Sequence, residues 1–142
     1  MKTLFLSLAC ALLLGATLQA VTNDEVAARK VAYEVAGAFT NEGFKLRDGC
    51  WSGKIDPKKA QIIQVNLYAG NQYWFSLGTT GAAKKIIVSV YDETGKPLAF
   101  EPFTDDGKAA AGFAPTASGS YYIKVEELEG ASAVFCLLYS YK

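Results

Sequence analysis

The 142-residue chain carries 14 acidic and 14 basic residues and no histidine. With 51% hydrophobic, 13% aromatic and 20% charged residues it has the makeup of a globular protein, not a disordered one. No basic stripe exists for phosphate backbones and no polybasic cluster for anionic lipid, so nucleic acid and charged membrane surfaces are excluded as expected partners.

In chain order, residues 1–20 (MKTLFLSLACALLLGATLQA) have the form of an export signal. Lys2 supplies the positive start, Leu4 to Leu14 form an apolar run broken only by Ser7, and Ala20 is a small residue suited to cleavage. The apolar run is shorter than the roughly twenty residues that span a bilayer. The expectation is therefore a cleaved signal, no transmembrane anchor afterwards, and a periplasmic or extracellular destination. A lipoprotein reading of Ser7-Leu8-Ala9-Cys10 would strand Leu12-Leu13-Leu14 in the mature protein and is set aside. Cleavage removes Lys2 and Cys10 and leaves Cys50 and Cys136. An even pair in an exported chain points to a disulfide, which would add about 4 kcal/mol by restricting the unfolded chain. The alternative is two buried free thiols.

The segment 21–43 is expected to be a helix packed on the domain that follows. Thr22 and Glu25 match a capping box, and Asp24 and Glu25 suit the positive end of the helix dipole. Ala28, Val31, Ala32, Val35, Ala36 and Phe39 recur at helical spacing, and Asn41-Glu42-Gly43 ends the helix with Gly43 as a left-handed cap.

From Phe44 the period changes to two, and 44–142 is expected to be one β-domain. Phe44 to Ile55 reads as a strand pair or a bent strand interrupted at Asp48-Gly49 and Ser52-Gly53. Ile63, Val65 and Leu67 alternate with polar residues. After a turn at Gly70-Asn71, so do Tyr73, Phe75 and Leu77, and then Ile86, Val88 and Val90. Pro97 to Phe103 reads as a short strand that its prolines push to a sheet edge. Ala109 to Ala114 is a weak, alanine-rich strand; Tyr121, Ile123 and Val125, then Phe135, Leu137, Tyr139 and Tyr141, complete the set. About eight short strands separated by turns predict a mainly β, antiparallel, jelly-roll-like sandwich with one N-terminal helix.

Catalytic chemistry finds little support. Without histidine there is no ordinary general base near neutral pH, no His-dependent triad and no imidazole metal ligand. Gly78-Thr79-Thr80-Gly81 lacks the Gly-Lys-Ser/Thr ending of a phosphate-binding loop. The acids Asp92/Glu93, Asp105/Asp106 and Glu126/Glu127/Glu129 could serve a carboxylate-dependent hydrolase only if two faced each other about 5–10 Å apart. Each cluster lies in or beside an expected turn, where solvated acids are ordinary. Asp105-Asp106-Gly107 lacks the spaced oxygens of a calcium loop. No catalytic residue, cofactor or metal is therefore expected. Trp51, Tyr68, Trp74, Tyr91 and Tyr122 fall on or near the faces opposite the aliphatic set. They could form a platform for a glycan or a peptide, unless the helix covers them.

The run Ala60–Lys142 resembles the bacterial pre-peptidase C-terminal domain. The resemblance is carried by Tyr73-Trp74-Phe75, by Ile87 to Gly95 with its Asp-x-x-Gly ending, and by Gly119-Ser120-Tyr121-Tyr122. It implies a jelly-roll-like sandwich without enzymatic activity that accompanies exported enzymes, although no peptidase precedes it in this sequence. Gly43 to Gly53, with Gly43-Phe44, Arg47-Asp48, Trp51 and Gly53, is similar to a stretch opening small uncharacterised exported bacterial proteins. The expected function is a non-catalytic exported protein with a binding or structural role. Its partner would be a glycan, a peptide or another exported protein, a peptidase included by family analogy.

Overall fold

The computed structural model describes residues 21–142; the expected signal and Cys10 lie outside the described residues. Among the described residues one helix, α1 (Asn23–Thr40), precedes nine strands: β1 (Lys45–Leu46), β2 (Trp51–Ile55), β3 (Ala60–Leu67), β4 (Tyr73–Thr79), β5 (Ala83–Tyr91), β6 (Glu101–Asp105), β7 (Lys108–Phe113), β8 (Gly119–Gly130) and β9 (Ala133–Tyr141). They form two antiparallel sheets. The larger has the order β1-β9-β4-β7-β6 with β2 also on β9, and the smaller is β3-β8-β5. Apart from the β6–β7 hairpin, successive strands from β2 onward lie in opposite sheets. The result is the expected sandwich with one helix.

Between the sheets the inward positions of each alternating strand meet: Phe75 and Leu77 of β4 and Leu137 of β9 against Val65, Val88, Val90 and Ile123 of the small sheet, all fully buried or nearly so. Each such side chain stabilises the fold by about 1.5–3 kcal/mol relative to exposure. The alanine-rich β7 is a central strand. Its Ala109 and Ala111 face this core and Ala110 faces the other side, where α1 lies.

The ninth strand arises because Phe44–Ile55 divides into two pieces that pair along one edge of β9. Leu46 sits opposite Ser140 and Trp51 opposite Leu137, so the first chain holds two more residues than its partner. This bulge is turned at Gly49, whose φ is +88°, a conformation costly for any side chain. The rest of the Gly43-to-Gly53 stretch closes the same sheet edge. Phe44 is buried under the Lys142 ammonium, and Arg47 lies 5.4 Å from the Trp51 ring centre and 5.1 Å from that of Tyr139. A Cβ on Gly53 would come 3.2 Å from the Phe135 ring. These residues serve packing.

The expected strand Pro97–Phe103 is also redistributed. Pro97 bridges Tyr91 and the Leu98 amide donates to Val90, so the chain first lines the small sheet. It then crosses to become β6, which is an edge strand exposed along its whole length.

α1 has the expected capping box: the Glu25 amide donates to Thr22 Oγ1 at 3.2 Å and the Thr22 amide to Glu25 Oε2 at 2.9 Å. Gly43 takes φ +88° and its amide donates to the Thr40 carbonyl. The helix lies on the outer face of the larger sheet, with Ala28, Ala32 and Ala36 packed against Cys136 and Leu138 of β9. Alanine at every fourth position lets helix and sheet backbones approach closely, and Gly78 of β4 sits beneath the contact. Gly37, on the solvent side of the same helix, has open space where a Cβ would stand.

Candidate functional site

The five aromatic candidates separate into distinct places. Trp74 is on the outer face of the larger sheet, but Phe39 of α1 stacks on it with ring centres 4.0 Å apart and planes within 7°. Trp51 turns inward and not outward: the bulge before β2 sets it on the core side, stacked 5.9 Å from Tyr139. Tyr68 is exposed on the turn after β3, apart from the others. Only Tyr91 and Tyr122 come together, as cross-strand partners on the outer face of the small sheet. The helix thus covers one aromatic face and leaves the other open.

Around the tyrosine pair the outward positions of β3, β8 and β5 build a mixed surface. Gln64 is the neighbour of Tyr122 on β3, and its amide donates to Ser120 Oγ at 3.2 Å, which in turn donates to Asn66 Oδ1 at 3.2 Å. Lys124 lies 5.4 Å from the Tyr91 ring centre and 3.1 Å from the Glu126 carboxylate. The Tyr91 hydroxyl and Glu126 together hold the Lys124 ammonium above its usual range. A shallow hollow of about 500 Å³ runs over Ile62, Tyr91, Tyr122 and Lys124 and ends at Glu93-Thr94-Gly95.

On the far side of that turn lies a second hollow of about 500 Å³, a cleft at the end of the sandwich between the β5–β6 and β7–β8 connections. Leu98, Phe113 and Tyr121 supply apolar side chains, while Thr94, Thr116, Ser118 and Ser120 supply hydroxyls. Glu93 and Thr94 border both hollows. The turn between them is held by Asp92, whose Oδ1 accepts from the Thr94 hydroxyl at 2.6 Å, the Thr94 amide at 2.9 Å and the Lys96 amide at 3.0 Å. These bonds keep the Asp92 carboxyl below its usual range, the Thr94 hydroxyl first. The cleft was not legible in the sequence, because it joins two connections far apart along the chain.

The acidic clusters do not converge. Asp92 is occupied within its turn, Asp105 accepts from the Asp106 amide in the β6–β7 hairpin, and Glu126 pairs with Lys124. Glu127, its neighbour on β8, points the opposite way and is fully buried, contrary to the expectation of a solvated acid. Neither of its oxygens has a hydrogen-bond partner. Burial pushes its carboxyl above the usual range, and Asp56 nearby adds to the effect. Among the described residues no group of three or more Cys, Asp or Glu side chains is gathered as a metal site would require, and no helix is long and apolar enough to cross a membrane.

The expected disulfide is not formed: Cys50 and Cys136 are free thiols. They are nevertheless neighbours, Cys50 packing against the α1 cluster that contains Cys136. Burial, and then proximity to Cys50, pushes the Cys136 thiol up to about 12, while Cys50 stands half-buried beside the Arg29 guanidinium. A bulge places the two side by side, which sequence separation could not reveal.

No protein-family model matches the chain, and no curated protein matches it.

Proposed function

We propose that this is a non-catalytic exported binding module and that the open face of the small sheet takes a glycan. The observation that carries the reading is the Tyr91–Tyr122 pair, left uncovered where α1 covers the opposite sheet. A sugar ring presents an apolar C–H face and a rim of hydroxyls. Paired phenol rings offer surface for the first, and Gln64, Asn66 and Ser120 offer donors and acceptors for the second. The separation of the acidic clusters and the absence of histidine support a role without catalysis. The resemblance of Ala60–Lys142 to pre-peptidase C-terminal domains supports the same role, and residues 1–20 support export. In pull-downs with chitin, cellulose and peptidoglycan, the protein is expected to retain at least one polymer. Tyr122→Ala and Tyr91→Ala should each weaken that retention about tenfold. Trp74→Ala, which removes a ring under α1, should lower stability and leave affinity unchanged. Retention of none of the three polymers, or retention by both tyrosine variants equal to that of the wild-type protein, would dismiss the reading.

We also propose that Cys50 and Cys136 close to a disulfide in an oxidising exported compartment. Protein taken from that compartment should resist a maleimide label under denaturing conditions until it is reduced, and then take two labels. Two labels without reduction would overturn the proposal. Cys50→Ser should cost about 2–4 kcal/mol in the oxidised protein and little in the reduced one.

A further inference from the structure

We infer that the end cleft beyond the Asp92–Gly95 turn is a subsite for the terminal unit of a neutral glycan. This inference rests on the proposal that the tyrosine face binds glycans. The two hollows share Glu93 and Thr94 as a common border, so a chain lying over Tyr122 and Tyr91 reaches the cleft by passing one turn. The turn is rigid: three donors converge on Asp92 Oδ1, and the Gly95 amide donates to the Asp92 carbonyl at 3.0 Å. A rigid border lowers the ordering cost of binding at either side.

The chemistry of the cleft selects its occupant. Leu98 and Phe113, beside the largely buried Tyr121, form an apolar side on which a ring can lie. The Thr116 and Ser118 hydroxyls can donate and accept, while those of Thr94 and Ser120, which already donate to Asp92 and Asn66, can accept. The Tyr121 hydroxyl donates to the Ala117 carbonyl at 2.6 Å and so fixes the β7–β8 connection against β8. No lysine or arginine lines the cleft, whereas Asp92 and Glu93 do. A carboxylate or phosphate on the ligand would be repelled there and left without a counter-charge. Sugar hydroxyls can donate to Glu93. An uncharged terminal sugar fits; a uronic acid does not.

Titration calorimetry with cellotetraose, chitotetraose and maltotetraose, and with tetragalacturonate as the anionic counterpart, tests the inference. Ala99→Trp places an indole in the cleft from an exposed position, and Ala114→Trp does so from the opposite connection. With wild-type protein, at least one neutral tetramer should bind at least about tenfold more tightly than tetragalacturonate. Each tryptophan variant, shown to be folded by an unchanged melting temperature, should bind that tetramer about tenfold more weakly while retaining the insoluble polymer. If both variants bind the tetramer as wild type does while Tyr122→Ala does not, the cleft is no subsite and the face reading survives. Tetragalacturonate binding as tightly as the neutral tetramers would also overturn the inference. If no tetramer and no polymer binds the wild-type protein, the reading of the face fails, and the cleft inference with it.

Discussion

Gly78→Ala is expected to cost about 3 kcal/mol or more in urea unfolding, a large loss for one methyl group. The added Cβ would stand 2.5 Å from the Ala28 carbonyl oxygen and 2.8 Å from the Val31 carbonyl carbon. Both are helix backbone, which no rotamer change can move aside. Overpacking a well-formed core ordinarily costs about 1–3 kcal/mol. Here relief requires the whole of α1 to rise from the sheet, uncovering Cys136 and Leu138, both fully buried. Gly37→Ala is the matched opposite. Its Cβ enters open space in mid-helix, so helix propensity alone acts and the variant should gain about 0.5–1 kcal/mol. If Gly78→Ala unfolds at the wild-type urea midpoint, α1 does not rest on β4 as described.

Removing the buried charge site at Glu127 should stabilise the protein at pH 8 and change the pH dependence of its melting temperature. A carboxyl whose native range lies above the unfolded value of 4.5 holds its proton to higher pH in the fold than in the unfolded chain. Stability from this group is therefore fully present below about pH 4.5 and is lost as pH rises through the native value, at up to about 1.4 kcal/mol per pH unit. Glu127→Gln cannot ionise and should flatten that decline. Glu127→Leu should in addition remove the cost of two unpartnered oxygens, about 1–3 kcal/mol each when buried. Melting scans from pH 4 to pH 9 read both effects. Equal slopes for wild type and Glu127→Gln would show that the carboxyl is hydrated and not sealed.

Much of the fold was legible residue by residue. The capping box at Thr22 and Glu25, the alanine stripe of α1 and the alternation of Tyr73-Phe75-Leu77 are local signals. A helix or strand declares its period within a few residues. The strand over Phe44–Ile55 was harder because its bulge depends on the register of β9, at the other end of the chain. The candidate site was legible only in part. Tyr91 and Tyr122 were among the five aromatics singled out, but nothing local distinguished them from Trp51 and Trp74. Period two says that neighbouring side chains face opposite ways; it does not say what covers either face.

The sequence by itself therefore determined most of the elements, the sandwich class and the absence of imidazole chemistry, because these follow from composition and short-range periodicity. Only the tertiary structure decided which sheet α1 lies on, and hence which aromatics remain open to a ligand. It also decided that Glu127 is sealed while Glu126 is not, that Cys50 meets Cys136, and that two distant connections enclose a cleft. All of these depend on contacts between residues tens of positions apart, whose geometry is set by how the sheets stack and register and not by any single segment.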